Sequence, residues 1–239
     1  MINVLIATGN GHKFQEIKAI LSDTGADWLR VSYLSGKKFT VKVEENGNTY
    51  YQNAKLKVDG YIKYLKENPA LKRKPFPDYI IAEDSGLEVE CLNNGPGLLT
   101  ARYAGENASD AENIAKLLDE MQKNKTCGVK EGVKKENGGD LAKLDRGGGR
   151  RAKFVCYACL FDVKTGCYSY FDGELRGVIA EKVTGKGGFG YDPIFFVPGF
   201  YKTAAQLTPV EKNRVSHRGI AFRKAAEAMR NRNYACGQT

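Results

Sequence analysis

The sequence predicts an α/β fold built on a mixed, twisted β-sheet flanked by helices. Three observations carry that reading. The chain opens on a short apolar run, Asn3-Val4-Leu5-Ile6-Ala7, turns through Thr8-Gly9-Asn10-Gly11, and switches to helical spacing with Phe14, Ile17 and Leu21 on one face. Strand-like and helix-like segments then keep interleaving, which puts helices against a sheet. Two long strand-like runs at 152–163 and 167–176, joined by Lys164-Thr165-Gly166, read as a hairpin. A hairpin is antiparallel, so the sheet is not purely parallel.

The remaining elements follow in order. Residues 29–43 hold β-branched and aromatic residues suited to a strand pair turning near Ser35-Gly36. Tyr51, Ala54, Val58, Tyr61 and Leu65 repeat at helical spacing and define a second helix, closed by Asn68-Pro69. A strand is expected at 79–83, with Ser85-Gly86 bending the chain at its end. The bend matters because neighbouring strand residues point to opposite faces, so Glu83 and Asp84 can share one ligand only if the strand stops there. A glycine-proline loop at 93–97 precedes a helix at about 109–122, started by Ser109-Asp110. Thr208-Pro209-Val210-Glu211 offers Thr as N-cap, Pro at the first helical position and Glu at the third, and the last helix turns Ala225, Ala226 and Met229 inward.

A chain of 239 residues suffices for one large domain or two small lobes. No apolar run approaches the roughly 20 residues needed to cross a bilayer, and Met1-Ile2-Asn3-Val4 leads directly into a strand, so a soluble, cytoplasmic protein is expected. Six cysteines (91, 127, 156, 159, 167 and 236) do not spell a disulfide framework by their spacing. Cys156 and Cys159 form a CxxC within a strand, where an offset of three puts the sulfurs on opposite faces. Buried free thiols are expected there, not a shared zinc. The net charge of +9 is concentrated: residues 122–153 hold ten basic and four acidic residues, six of the nine net charges. Within it, 123–149 has seven glycines and almost no periodicity, and reads as a flexible insertion.

Four segments carry chemistry. In Ile81-Ala82-Glu83-Asp84-Ser85-Gly86-Leu87 two carboxylates sit at the end of a buried run, where charge is costly unless something positive is bound, and Mg²⁺ is the usual partner. A solvated strand end is the plainer alternative. Thr8-Gly9-Asn10-Gly11-His12-Lys13 aims backbone N–H groups and a lysine at a helix N-terminus, which suits a polyphosphate, although an ordinary strand-to-helix turn has the same form. It is neither a Walker A loop, which needs Gly-Lys-Ser/Thr, nor a dinucleotide fingerprint, whose third glycine would fall at Phe14. In Gly187-Gly188-Phe189-Gly190-Tyr191-Asp192-Pro193 the glycines let a flat ligand reach the Phe189 ring, with Asp192 placed to read an edge; a hydrophobic turn explains it equally. Lys212 with Ser216-His217-Arg218-Gly219 converges as a donor set if the chain breaks near Ser216, although a His-Arg pair on a helix is more often a solvated face.

Together and in this order, these segments resemble the inosine triphosphatase family of purine nucleoside triphosphate pyrophosphatases. The motifs are Ala7-Thr8-Gly9-Asn10-x-x-Lys13, Glu44-Glu45-x-Gly47, Asn53-Ala54-x-Leu56-Lys57, Glu83-Asp84-Ser85-Gly86-Leu87, Pro96-Gly97 with Ala101-Arg102-Tyr103, Gly188-Phe189-Gly190-Tyr191-Asp192-Pro193, and Ser216-His217-Arg218-Gly219. The resemblance runs from residue 2 to about 231, and implies a single domain over 1–239 with two lobes around a central nucleotide cleft. It implies Mg²⁺ held by Glu45 and Asp84 with Glu83 beside them, and Asp84 as the catalytic proton acceptor. By the same resemblance Asn10, Lys13, Lys57 and Ser85 lie around the triphosphate, and Thr8, Gly9, Gly11, His12 and Asn53 join them as substrate-binding residues. Phe189 stacks on the base, Asp192, Lys212, His217 and Arg218 form the recognition end, and Gly190 and Tyr191 count among the substrate-binding residues. Asn53 and Lys57 lie one helical turn apart, so both can face one site.

Two departures stand out. Glu83 occupies a position where many relatives carry aspartate, and nothing in the family explains the 123–149 segment. The implied reaction is hydrolysis of inosine, deoxyinosine or xanthosine triphosphate between the α- and β-phosphates, by a homodimer with no membrane and no specific nucleic-acid partner. Donors at the base end would pair with a 6-oxo group and oppose the 6-amino group of adenine. The rival reading is a nonspecific nucleic-acid-binding module using the basic 123–153 segment, with salt-sensitive binding and no turnover. The 123–149 stretch has no aromatic residue, so base stacking is not open to it.

Overall fold

The computed structural model describes residues 1–34, 41–69, 76–124, 127 and 149–231. Ser35-Gly36, Cys236 and nearly all of the 123–149 segment lie outside them. Eight strands form one sheet: β1 (Ile2–Ile6), β2 (Leu29–Tyr33), β3 (Tyr79–Val89), β4 (Gly95–Pro96), β5 (Arg151–Asp162), β6 (Tyr168–Ile179), β7 (Phe195–Val197) and β8 (Lys202–Thr203). Their order is β2-β1-β3-β5-β6-β7-β8, with β4 attached to β3. β1 runs parallel to β2 and β3, while the β3–β4, β6–β7 and β7–β8 pairs are antiparallel, so the sheet is mixed as expected. The turn between β5 and β6 closes through Asp162 N–H to the Cys167 carbonyl (3.0 Å) and Gly166 N–H to the Asp162 carbonyl (2.9 Å). The helices are α1 (Gly11–Asp23), α2 (Tyr50–Glu67), α3 (Asp110–Lys123), α4 (Pro209–Val215) and α5 (His217–Asn231). No helix among the described residues is long and apolar enough to cross a membrane.

The chain divides into two compact units: residues 1–84, 156–173 and 216–239 form the first, and 85–155 and 174–215 the second. In the first unit the strand alternation sorts the core into two layers. Val4, Ile6 and Ile81 pack with Phe14, Ile17 and Leu21 of α1 and with Phe222, Ala225 and Met229 of α5. Leu5, Ala7, Ile80 and Ala82 point the other way, onto Ala54, Val58, Tyr61 and Leu65 of α2. Cys156 belongs to the first layer and Cys159 to the second, both free and buried, as the offset of three requires. Tyr51, expected inward, is 37 % exposed and meets Tyr157 and Tyr170 edge-on; the inward position is taken by Asn53.

The second unit has its own core of Leu87, Val89, Leu117, Met121, Phe154, Ile179, Ile194 and Phe195. Ser109 caps α3 in a reciprocal box with Glu112, and Thr208 caps α4 in the same way with Glu211.

Three expectations fail. The strand at 79–83 does not stop at Ser85-Gly86: β3 runs eleven residues to Val89, where it pairs with β4 at Glu88–Pro96 and Val89–Gly95. Pairing remote in sequence overrides the local turn signal. Of the expected 29–43 strand pair, β2 spans Leu29–Tyr33 and residues 41–43 are not in a strand, while 35–40 lie outside the described residues. The cysteines are not all free either: Cys91, after β3, is bonded to Cys127, after α3, and Cys167 is also in a disulfide.

Candidate active site

The turn from β1 into α1 is built by local bonds. Asn10 N–H donates to Thr8 Oγ1 at 3.1 Å, and Asn10 Oδ1 accepts from Lys13 N–H at 3.1 Å, making Asn10 the N-cap. α1 has no acidic residue in its first turn, so the positive end of its dipole meets no carboxylate of its own. A Cβ on Gly9 or Gly11 would meet nothing within 4 Å, and the surface from Gly9 to His12 is exposed. These features suit an anion laid against the turn.

The continuity of β3 decides what the two carboxylates face. Glu83 points to the α1 and α5 side, as Ile81 does, and Asp84 to the α2 side, as Ala82 does. Lys13 Nζ lies 2.9 Å from Glu83 Oε1, and the Arg218 guanidinium reaches the same oxygen through Nη2 at 3.2 Å. Arg218 Nη1 binds Glu16 Oε2 at 2.6 Å, and the Cys156 thiol donates to Glu83 Oε2 at 3.8 Å. Arg218 gains this depth because α5 begins directly on β6: a Cβ on Gly173 would stand 2.2 Å from the His217 carbonyl oxygen. Serine 216 separates α4 from α5 and accepts Gly219 N–H at 3.0 Å, which is the expected chain break.

Burial alone would raise the pKa of Glu83, but Lys13, Arg218 and Lys57 outweigh it and hold the carboxyl well below the usual range. A depressed folded-state pKa adds stability that is complete above the unfolded value of about 4.3 and disappears as pH falls through the folded one. Glu83→Gln is therefore expected to be less stable than the parent at about pH 7, with the two converging as pH drops below about 4. Urea midpoints across that range test this; a constant difference at every pH would remove the coupling.

On the other side, Asp84 Oδ2 accepts from Asn53 Nδ2 at 3.1 Å and Oδ1 from Lys57 Nζ at 3.1 Å, so the one-turn spacing on α2 brings both side chains to one carboxylate. Lys57 Nζ also touches Glu45 Oε2 at 2.8 Å. Burial pulls the Lys57 pKa down, but Asp84, Glu45 and Glu83 raise it above its ordinary value. Asn53 Oδ1 accepts Gly47 N–H at 2.9 Å, tying the Glu45 loop to α2.

Glu45 and Asp84 thus converge on one positive charge, and Glu83 is turned away from it. Among the described residues no three His, Cys, Asp or Glu side chains form a metal-binding group, so the expected trio of Glu45, Asp84 and Glu83 is not assembled. Two hard oxygen donors sharing one cation fit Mg²⁺, which is commonly held by one or two carboxylates with water and phosphate completing its shell.

The other expected residues gather in the second unit. Ser85 is half-buried on β3. Phe189 is half-buried, and Lys212 Nζ lies 5.0 Å from its ring centroid. Asp192 Oδ2 accepts from Lys212 Nζ at 2.5 Å and from Phe189 N–H at 2.9 Å, so this carboxylate shapes the turn. Tyr191 is a core anchor whose hydroxyl donates to the Thr100 carbonyl at 3.1 Å. His217 and Arg218, expected beside Asp192 and Lys212, belong to the first unit, where Arg218 pairs with Glu83.

The model of the Ham1 family matches residues 4–130 and 127–228. The chain belongs to the Ham1 family. It is 37 % identical over 231 residues to the dITP/XTP pyrophosphatase of Clostridium perfringens, covering 96 % of this chain and 98 % of that one. To the dITP/XTP pyrophosphatase of Escherichia coli K12 it is 38 % identical over 232 residues, covering 97 % and 100 %. The Ham1 protein structures from Staphylococcus aureus (TM-score 0.68, 35 % identity) and Coxiella burnetii (TM-score 0.69, 32 %) each align over 97 % of this chain and their whole length.

Within this Ham1 chain, three side chains escaped the sequence reading. Glu16 lies three residues after Lys13 on α1, a same-face spacing that was available as a signal. The sequence presents Cys156 as a core thiol, yet it donates to Glu83, and Asp110 as the start of α3, yet its carboxylate accepts from Gly190 N–H. The nucleic-acid alternative finds no support in the described part of its basic segment. Arg150 donates to the Ile179 and Ala180 carbonyls at 2.6 and 3.0 Å, and Lys153 pairs with Glu88 and Glu174 at 3.3 and 3.6 Å.

Proposed function

We propose that this Ham1 chain hydrolyses deoxyinosine, inosine and xanthosine triphosphates to the monophosphate and pyrophosphate. The observation that carries the reading is the pairing of Asp84 and Glu45 through Lys57 in the unit that also holds the open α1 N-terminus and Lys13. The α1 amides, Lys13 and Lys57 bind phosphate oxygens and stabilise charge gathering on the departing pyrophosphate. Asp84, oriented by Asn53, accepts a proton from the attacking water. Mg²⁺ held by Glu45 and Asp84 would screen phosphate charge and lower the pKa of that water. Phosphate binding does not distinguish bases, so selection falls to the Phe189, Asp192 and Lys212 set. The Lys212 ammonium can donate to a 6-oxo group and meets a 6-amino group donor to donor.

Pyrophosphate release from deoxyinosine triphosphate, measured with and without Mg²⁺ and against deoxyadenosine triphosphate, tests the proposal. Expected are Mg²⁺-dependent pyrophosphate and a preference on the order of 10²-fold or more for the 6-oxo purine. Release of orthophosphate alone, or equal rates on both substrates, would overturn it. The acting species is proposed to be a homodimer, and a monomeric mass by light scattering at assay concentration would exclude that.

A further inference from the structure

The turn that carries Phe189 is held from outside itself. Phe189 N–H donates to Asp192 Oδ2 at 2.9 Å, and Asp192 N–H returns to the Phe189 carbonyl at 3.3 Å. The next amide, Gly190 N–H, leaves this ring and donates to Asp110 Oδ2 at 2.6 Å, a residue eighty positions earlier. Gly190 has φ of 59°, the left-handed region that glycine occupies without strain. The peptide planes on both sides of the Phe189 Cα are therefore each anchored by a carboxylate. Fixing both planes fixes φ and ψ of Phe189, and with them the direction in which its ring leaves the backbone.

Asp110 is itself firmly placed. It opens α3 at the first helical position, inside the Ser109–Glu112 capping box. Asn113, one turn on, accepts Ala104 N–H at 2.8 Å and donates to the Ala101 carbonyl at 3.2 Å. Beyond the far end, Asn124 Nδ2 donates to the Cys91 carbonyl at 2.9 Å beside the Cys91–Cys127 disulfide. α3 is a post tied at both ends, and an ionised acceptor on it forms a charge-assisted bond to the turn.

We propose that Asp110 is a positioning residue for base recognition, holding the Phe189–Gly190 peptide so that the ring is set in its stacking direction before a purine arrives. This rests on reading Phe189 as the base platform. A platform set in advance leaves less backbone to order on binding, so losing the anchor weakens the nucleotide through its base and leaves its phosphates untouched.

The test compares Asp110→Ala, Asp110→Asn, Ser109→Ala and Phe189→Ala for deoxyinosine triphosphate turnover, with inorganic tripolyphosphate as a competitive inhibitor lacking a base. Asp110→Ala should raise KM about three- to tenfold, the worth of one hydrogen bond, with kcat changed less than about twofold and the tripolyphosphate inhibition constant unchanged. Asp110→Asn keeps an acceptor oxygen and should recover most of the KM. Ser109→Ala loosens the cap of α3 without touching Gly190 and should leave KM in place. Adding Asp110→Ala to Phe189→Ala should raise KM no further. If Phe189→Ala raises KM and Asp110→Ala does not, the positioning role is wrong while the platform stands. If Phe189→Ala leaves KM unchanged, the platform reading itself falls. An equal rise in KM and in the tripolyphosphate constant for Asp110→Ala would mark general loosening and overturn the proposal.

Discussion

Asp84→Asn is expected to fold and to bind nucleotide, and to lose about a thousandfold or more in turnover. The substitution preserves shape: one oxygen remains to accept from Asn53 Nδ2 or Lys57 Nζ, which now bracket the carboxylate at 3.1 Å each. What it removes is the negative charge and the proton-accepting oxygen, the two properties the proposed chemistry needs at this point. Lys57 keeps Glu45 at 2.8 Å and the Glu83 carbonyl at 3.1 Å, so the α2 side of the site should hold together. Pre-steady-state pyrophosphate release with saturating Mg²⁺, alongside a thermal midpoint near that of the parent, reads the two parts separately. Turnover within about tenfold of the parent would move the catalytic role away from Asp84.

Arg218→Leu should produce the largest loss of stability. The guanidinium and the Glu83 carboxylate are each only 3 % exposed in their side chains, and the same guanidinium binds Glu16. Removing the guanidinium takes a buried positive charge from both Glu16 and Glu83, leaving Glu83 to Lys13, at a cost of about 3–5 kcal/mol. For a chain of this size that corresponds to a fall in melting temperature of roughly 10 °C. Replacing both partners by neutral groups should cost much less than the sum of the single changes, because the desolvation of Glu83 vanishes with its charge. Calorimetry on Arg218→Leu, Glu83→Gln and the double variant closes the cycle. Additive losses would show that the two charges do not depend on each other.

Much of this was legible residue by residue. The helix starts at Ser109 and Thr208, the apolar stripes of α1 and α2 and the break at Ser216 are local patterns, and local physics settles them. Chemistry grouped correctly where spacing alone decides, as with Asn53 and Lys57 on Asp84. The failures have a common cause in partners distant along the chain. Ser85-Gly86 looks like a strand end, yet Leu87 N–H finds Thr100 Oγ1 at 2.9 Å, and Glu88 and Val89 pair with β4. Cys91 and Cys127 are 36 residues apart with no spacing signature, and only the fold of the second unit brings them together. Lys212, twenty residues on, joins Asp192 in the frame of the Phe189 turn, a contact that the local motif does not display. Arg218 went to Glu83 because α5 lies against β6 at Gly173, a closeness that no window of sequence displays.

The uninterrupted run of β3 through Glu83 and Asp84 has a consequence for how this site can change. Two adjacent strand residues are locked in antiphase, so position alone sends the Glu83 side chain to Lys13 and Arg218 and the Asp84 side chain to Asn53 and Lys57. A single-residue insertion or deletion upstream in β3 would exchange the assignments, presenting the longer acid to Lys57 and Asn53 and the shorter to Lys13 and Arg218. Altering the Lys57 and Asn53 side at fixed register therefore requires changes in side-chain length at fixed positions. The two acids act as opposite poles of one rigid lever whose fulcrum is Lys57, the cation that feels both.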